Sequence, residues 1–103
     1  MQEQGTLTLR SWRVIQLPNS DRHLVGYCLE NKEGRTSSAV RTIEARTLQV
    51  TTDSGRHYLL HGRPGHDPDA AYVWKRWTAL NSVDAWEDVT AGVWQCHLDA
   101  RQR

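Results

Sequence analysis

Apolar and polar positions alternate along the first half of the chain and change to three- and four-residue spacing near residue 70. Between Gly5 and Leu17, Leu7 and Leu9 alternate with polar neighbours, and the phase slips near Ser11 before Trp12, Val14 and Ile15. The slip predicts one strand with a bulge, or two short strands. Pro18-Asn19-Ser20-Asp21 ends it as a turn. From His23 to Glu30, the residues Leu24, Val25, Tyr27, Cys28 and Leu29 predict a second strand buried on much of both faces. Gly26 inside it predicts a bulge or a close backbone approach. After the polar turn Asn31 to Arg35, Thr36-Ser37-Ser38 lead towards a hairpin whose arms are Ser38 to Glu44 and Arg46 to Thr52, closed near Glu44-Ala45-Arg46. The second arm sets Leu48, Val50 and Thr52 against Thr47, Gln49 and Thr51, so one face is wet. Asp53-Ser54-Gly55 suits a short hairpin loop with its glycine in the left-handed region. Arg56 to His61 follows, with Tyr58 and Leu60 on one side and His57, Leu59 and His61 on the other.

The helical period begins with its own start signal. Asp67 can accept from the free N–H groups of a first turn, Pro68 stands where a missing N–H costs nothing, and Asp69 suits the positive end of the dipole. Ala70, Val73, Trp74, Trp77 and Leu80 then form one apolar stripe, with Tyr72, Lys75, Arg76 and Thr78 off it. Asn81 is the expected stop. The stretch after it carries no single assignment: Val83, Trp86 and Val89 are compatible with a second short helix beginning at Ser82, and Val93 to Leu98 with a closing strand. Asp99 to Arg103 is charged and reads as a frayed tail. The fold class expected is therefore α+β, one small globular domain over residues 1–103. It is an antiparallel sheet of four to five strands with one main helix, about 68–81, packed on one face.

Composition sharpens this. Phe is absent and Met occurs once, so five Trp and three Tyr must supply the bulk of the core. Each buried Trp removes about 200 Å² from water, an upper bound of roughly 5 kcal/mol. Lys plus Arg (13) nearly balances Asp plus Glu (12), which gives no global field to draw in nucleic acid or an anionic membrane. The N-terminus is polar and no apolar run reaches signal-peptide or membrane-span length, so the expectation is a cytoplasmic protein without a membrane partner. Cys28 and Cys96, far apart and without close-spaced partners, read as reduced thiols unless their strands meet.

Candidate chemistry concentrates between residues 57 and 69. His57, His61 and His66 with Asp67 and Asp69 are the densest set of possible ligands. On a strand, however, His57 and His61 stand roughly 13 Å apart at about 3.3 Å per residue, so they cannot share one metal. No metal and no cofactor is expected, and no catalytic residue is assigned. Gly62-Arg63-Pro64-Gly65 ahead of a helix offers N–H groups to an anion, without the spacing of a P-loop or dinucleotide fingerprint. Cys96 beside His97 would point to opposite faces of a strand. Arginine greatly outnumbers lysine, which suits contact surfaces, since the guanidinium stacks on rings and grips carboxylates in a fork. If Arg41, Arg46 and Arg56 share the wet sheet face, they make a local basic patch.

The run Ser54 to Leu60, then Gly62 to Gly65, then Asp67-Pro68-Asp69-Ala70-Ala71-Tyr72-Val73-Trp74-Lys75-Arg76-Trp77 resembles a group of small uncharacterised bacterial proteins often encoded on plasmids, phages or integrated elements. The resemblance covers the middle third and implies only a bacterial, mobile-element setting and an accessory role, with no activity to transfer; the expected setting is mobile-element or defence biology. The leading expectation is a non-enzymatic protein that binds another macromolecule, in the first place a protein, through Arg41, Arg46, Arg56, Arg63, His61 and His66. The alternatives are a small enzyme or anion- or metal-binding domain using the Gly62–Asp69 loop, and a single-stranded nucleic-acid binder.

Overall fold

The strand whose phase slips turns out to be the axis of the molecule. In a computed structural model, which describes residues 5–102, β1 runs Leu7–Gln16 and pairs antiparallel with β2, Arg22–Cys28. The slip is a bulge: Arg10 faces Tyr27, Arg13 faces Val25, and Ser11 between them takes φ 49°. It lets Leu9, Trp12 and Val14 enter one core while Ile15 enters another on the opposite face. Gly26 lies beneath it, where a Cβ would stand 3.2 Å from Leu9 Cβ, the Arg10 carbonyl and Trp12 Cα.

The strands β3 (Glu33–Thr36), β4 (Val40–Glu44), β5 (Gln49–Thr52) and β6 (His57–Leu60) follow, then α1 (Pro68–Leu80), a two-residue β7 (Glu87–Asp88) and α2 (Thr90–Arg101). Across the sheet the order is β3-β2-β1-β6-β5-β4, and β7 pairs with the far end of β1. All pairs are antiparallel except β1 with β6, which run parallel with Leu7 opposite Tyr58 and Leu9 opposite Leu60. β3 and β4 are the two ends of this order, yet only residues 37–39 join them, so the sheet has to curl. Ser37 ties the join to β2: its N–H donates to the Leu24 carbonyl at 2.9 Å and its Oγ accepts from Leu24 N at 2.8 Å.

The inside of the curl is the main core, with Leu7, Leu9, Trp12, Val14, Leu24, Cys28, Val50, Tyr58 and Leu60 buried there and Val93 of α2 closing it. Arg35 spans the opening, donating from Nε to the Tyr58 hydroxyl at 2.8 Å. α1 packs on the other face over β2 and β3, where Ala70 and Trp74 meet Ile15 and Val25. Asp67 caps it as expected, accepting from Ala70 N at 3.0 Å. Gly34 makes the seat: a Cβ there would come within 2.4 Å of Ala70 N and of Asp69 C and O, so only glycine lets the first turn rest on β3.

The expectations stand corrected in three places. Among the described residues the sheet is mixed, since β1 sits in the middle and pairs in parallel with β6, and it has six strands plus the short β7, since Glu33–Thr36 forms β3 against β2 where part of a polar turn was expected. The described residues form two helices: residues 82–86, expected to start a short helix, are irregular, Val93 to Leu98 is helix where a strand was expected, and α2 continues to Arg101 where a frayed tail was expected. The buried line of α1 is Ala70, Trp74 and Thr78, whereas Leu80 is 78% exposed. Thr78 is tolerated because its hydroxyl donates to the Lys75 carbonyl at 2.8 Å. Residues 1–4 and 103 lie outside the described residues. Among those described, no helix is long and apolar enough to cross a membrane.

Candidate functional site

Three consecutive residues of β1 hold up both walls of a groove. On one side the connector from β6 to α1 is laced to Trp12: the indole Nε1 donates to the Gly62 carbonyl at 3.1 Å, and Gly65 N donates to the Trp12 carbonyl at 3.2 Å. His61 N, donating to the Leu9 carbonyl at 2.8 Å, extends the parallel ladder into this connector. On the other side the start of α2 is laced to Val14. Val89 N donates to the Val14 carbonyl at 2.9 Å, and the buried Thr90 Oγ1 accepts from Val14 N at 2.9 Å. Asp88 completes that wall by accepting from Thr90 N through Oδ1 at 2.9 Å, which replaces the side-chain cap that Val89 cannot provide.

Between the walls lies an open groove of about 650 Å³ lined by Arg13, Pro64, Gly65, His66, Asp88, Thr90, Ala91 and Trp94. Its surface is chiefly apolar. Trp94 is half-buried and held edge-on against Trp12, with ring centroids 6.1 Å apart at 62°. Arg13 NH1 stands 3.7 Å from Asp88 Oδ2, an ion pair too long to be a hydrogen bond. Among the described residues its guanidinium takes part in no hydrogen bond. The groove thus sets an indole and a proline ring, able to pack apolar matter, beside a guanidinium able to grip a carboxylate.

The residues singled out from the sequence are scattered. His66 lines the groove, while His61 and Arg63 are exposed on the connector and do not. Arg41 is exposed at the irregular step of β4, where the register passes from Val40 to Thr42. Arg46 and Arg56 sit in the turns at opposite ends of β5, and Arg56 NH1 donates to the Gly5 carbonyl at 3.2 Å. The wet face of β4, β5 and β6 thus presents Thr42, Glu44, Gln49, Thr51, His57 and Leu59, with the arginines at its ends.

His57 shares a 3.3 Å hydrogen bond with Thr51 Oγ1. Among the described residues no group of three or more His, Cys, Asp or Glu side chains could hold a metal ion. Cys28 is buried, Cys96 is exposed on α2, and both are free thiols. His97, next to Cys96, is buried and donates from Nδ1 to the Ala45 carbonyl at 2.6 Å, pinning α2 to the β4–β5 turn.

Arg13, Asp88, Thr90, Ala91 and Trp94 were not anticipated as site residues. The acid two places ahead of Thr90 was the one local sign of a helix start there. Compared with protein-family models, with curated proteins and with solved structures, the chain finds no match.

Proposed function

We propose that this chain is a non-enzymatic binding module whose groove receives an extended segment of a partner protein, one that offers an apolar side chain beside a carboxylate. The observation that carries the reading is the pairing, in one open cleft, of an indole wall with an arginine whose guanidinium makes no hydrogen bond to any described residue. An apolar side chain would lie on Trp94, Pro64 and Ala91, and the neighbouring carboxylate would take Arg13 in the forked geometry that guanidinium favours. The bacterial mobile-element resemblance of the middle third suggests an accessory role as the setting.

A displayed random-peptide library tests this. Peptides recovered on the protein should be enriched in Asp or Glu next to a bulky apolar residue and should lose affinity for Arg13→Ala. They should also fail on Ala91→Glu, which fills the cleft from an exposed position and supplies Arg13 with a carboxylate of its own. Glu in a first helical turn is favourable by roughly 0.3–1 kcal/mol, so that variant keeps its fold. Enriched peptides that bind Ala91→Glu undiminished would overturn the reading.

A further inference from the structure

A second surface lies on the other side of β7. Asp88 lines the groove described above, and Glu87 lines a depression of about 300 Å³ together with Gln16, Leu17, Pro18, Ala85 and Trp86. Leu17, Pro18 and Ala85 are shared with an adjoining depression of about 360 Å³ that reaches Val83 and Asp84. The two form one surface on either side of the Leu17-Pro18 corner.

Its centre is Trp86, 46% exposed. The ring does not flap freely: it stands at 88° to Trp74, with centroids 5.5 Å apart, and Trp74 in turn stacks on Trp77 at 5.3 Å. The charged side chains that line these two depressions are both acidic. Asp84 and Glu87 form no ion pair and no side-chain hydrogen bond with any described residue, and no arginine or lysine lines either depression. Arg22 of β2 lies at the edge of this surface: it shares a further depression with Glu87 and Asp88 and donates from Nε to Gln16 Oε1 at 2.9 Å.

We propose that Trp86, the Leu17-Pro18 corner and the carboxylates of Asp84 and Glu87 form a docking surface for a lysine- or arginine-bearing segment of a partner protein. A long basic side chain matches each part. Its methylenes cover Leu17 and Pro18, its cation meets the indole face, and the carboxylates accept its N–H donors. Charge complementarity selects this occupant: an acidic segment would be repelled by both carboxylates, and a purely apolar one would leave them without partners.

The test is a displayed random-peptide selection on the Ala91→Glu protein, whose groove is closed, so that its outcome is independent of the proposed groove function. Recovered peptides should be enriched in Lys or Arg beside an apolar residue. They should bind Trp86→Ala roughly tenfold more weakly, the scale of a cation–aromatic contact. The double variant Asp84→Asn, Glu87→Gln changes only exposed carboxylates and keeps the fold; it should weaken binding to a similar degree and flatten its dependence on salt. Recovery of no basic peptides, or basic peptides that bind the double variant as well as the parent, would overturn the proposal. So would enrichment of purely apolar peptides insensitive to salt.

Discussion

Replacing Gly34 by alanine places a methyl group where α1 rests on the sheet. The new Cβ would fall 2.4 Å from Ala70 N and from Asp69 C and O, all backbone atoms that cannot rotate away. Relief to an ordinary contact requires the first turn to retreat by roughly 1 Å, which draws Ala70 and Trp74 off Val25 and strains the Asp67 cap. Overpacking of this kind costs about 1–3 kcal/mol, and a rigid backbone neighbour argues for the upper end. Removing a glycine from the unfolded chain returns about 0.4–1 kcal/mol, which leaves a net loss near 2 kcal/mol. For a domain of this size that lowers Tm by roughly 8–16 °C.

Gly92 is the control: it lies within α2 with open space around its Cβ position, so Gly92→Ala should stabilise by about 0.5–1 kcal/mol. Urea titration followed by tryptophan fluorescence reads both. A Gly34→Ala protein as stable as the parent would mean that α1 does not sit on β3.

Three other outcomes follow from single contacts. Thr90→Val keeps shape but leaves Val14 N buried without its acceptor, so it should cost about 1–3 kcal/mol in a urea titration, while Thr90→Ser should cost much less. Glu30 takes hydrogen bonds from Thr8 N at 2.7 Å and Thr8 Oγ1 at 2.8 Å, and the backbone bond in particular holds its carboxyl below the usual carboxylate range. A carboxyl lowered in the folded state adds stability that is present above its unfolded pKa and is lost as pH falls through the folded one. The urea midpoints of the parent and Glu30→Gln should therefore converge in acid, and a gap that widens there would contradict the assignment. A thiol reagent under native conditions should modify Cys96 at once and Cys28 only on unfolding, and equal rates would place Cys28 wrongly.

What could be read in advance, and what could not, divides along local and non-local physics. The α1 start was legible because Asp67 and Pro68 act on N–H groups within one turn. Its roll about its own axis was not: Thr78 is buried and Leu80 exposed, while Trp77 lies at the edge of the buried face with the His23 ring of β2 4.6 Å away. The bulge at Ser11 and the turn at Gly55, with φ 88°, carried their own marks in phase and residue type.

The pairing of β1 with β6 carried none, since a parallel ladder depends on segments some fifty positions apart. α2 was hidden for a different reason. Its inward residues are Thr90, Val93 and His97, two of them polar and satisfied by specific carbonyl or amide partners, so no apolar stripe announces a helix. The groove inherited that blindness, because one of its walls is α2; of its lining, only Pro64, Gly65 and His66 belong to the Gly62–Asp69 loop that the sequence singles out.

The account stands on the groove over Arg13, and a titration of the ¹⁵N-labelled protein with a library-derived peptide carrying a carboxylate beside an apolar residue tests it most directly. The expected result is a set of shifted resonances confined to Arg13, Gly65, His66, Ala91 and the Trp94 indole N–H, absent when the same peptide is added to Ala91→Glu. Shifts gathered instead on Thr51, His57 and Leu59 of the wet sheet face, and unchanged in Ala91→Glu, would contradict it.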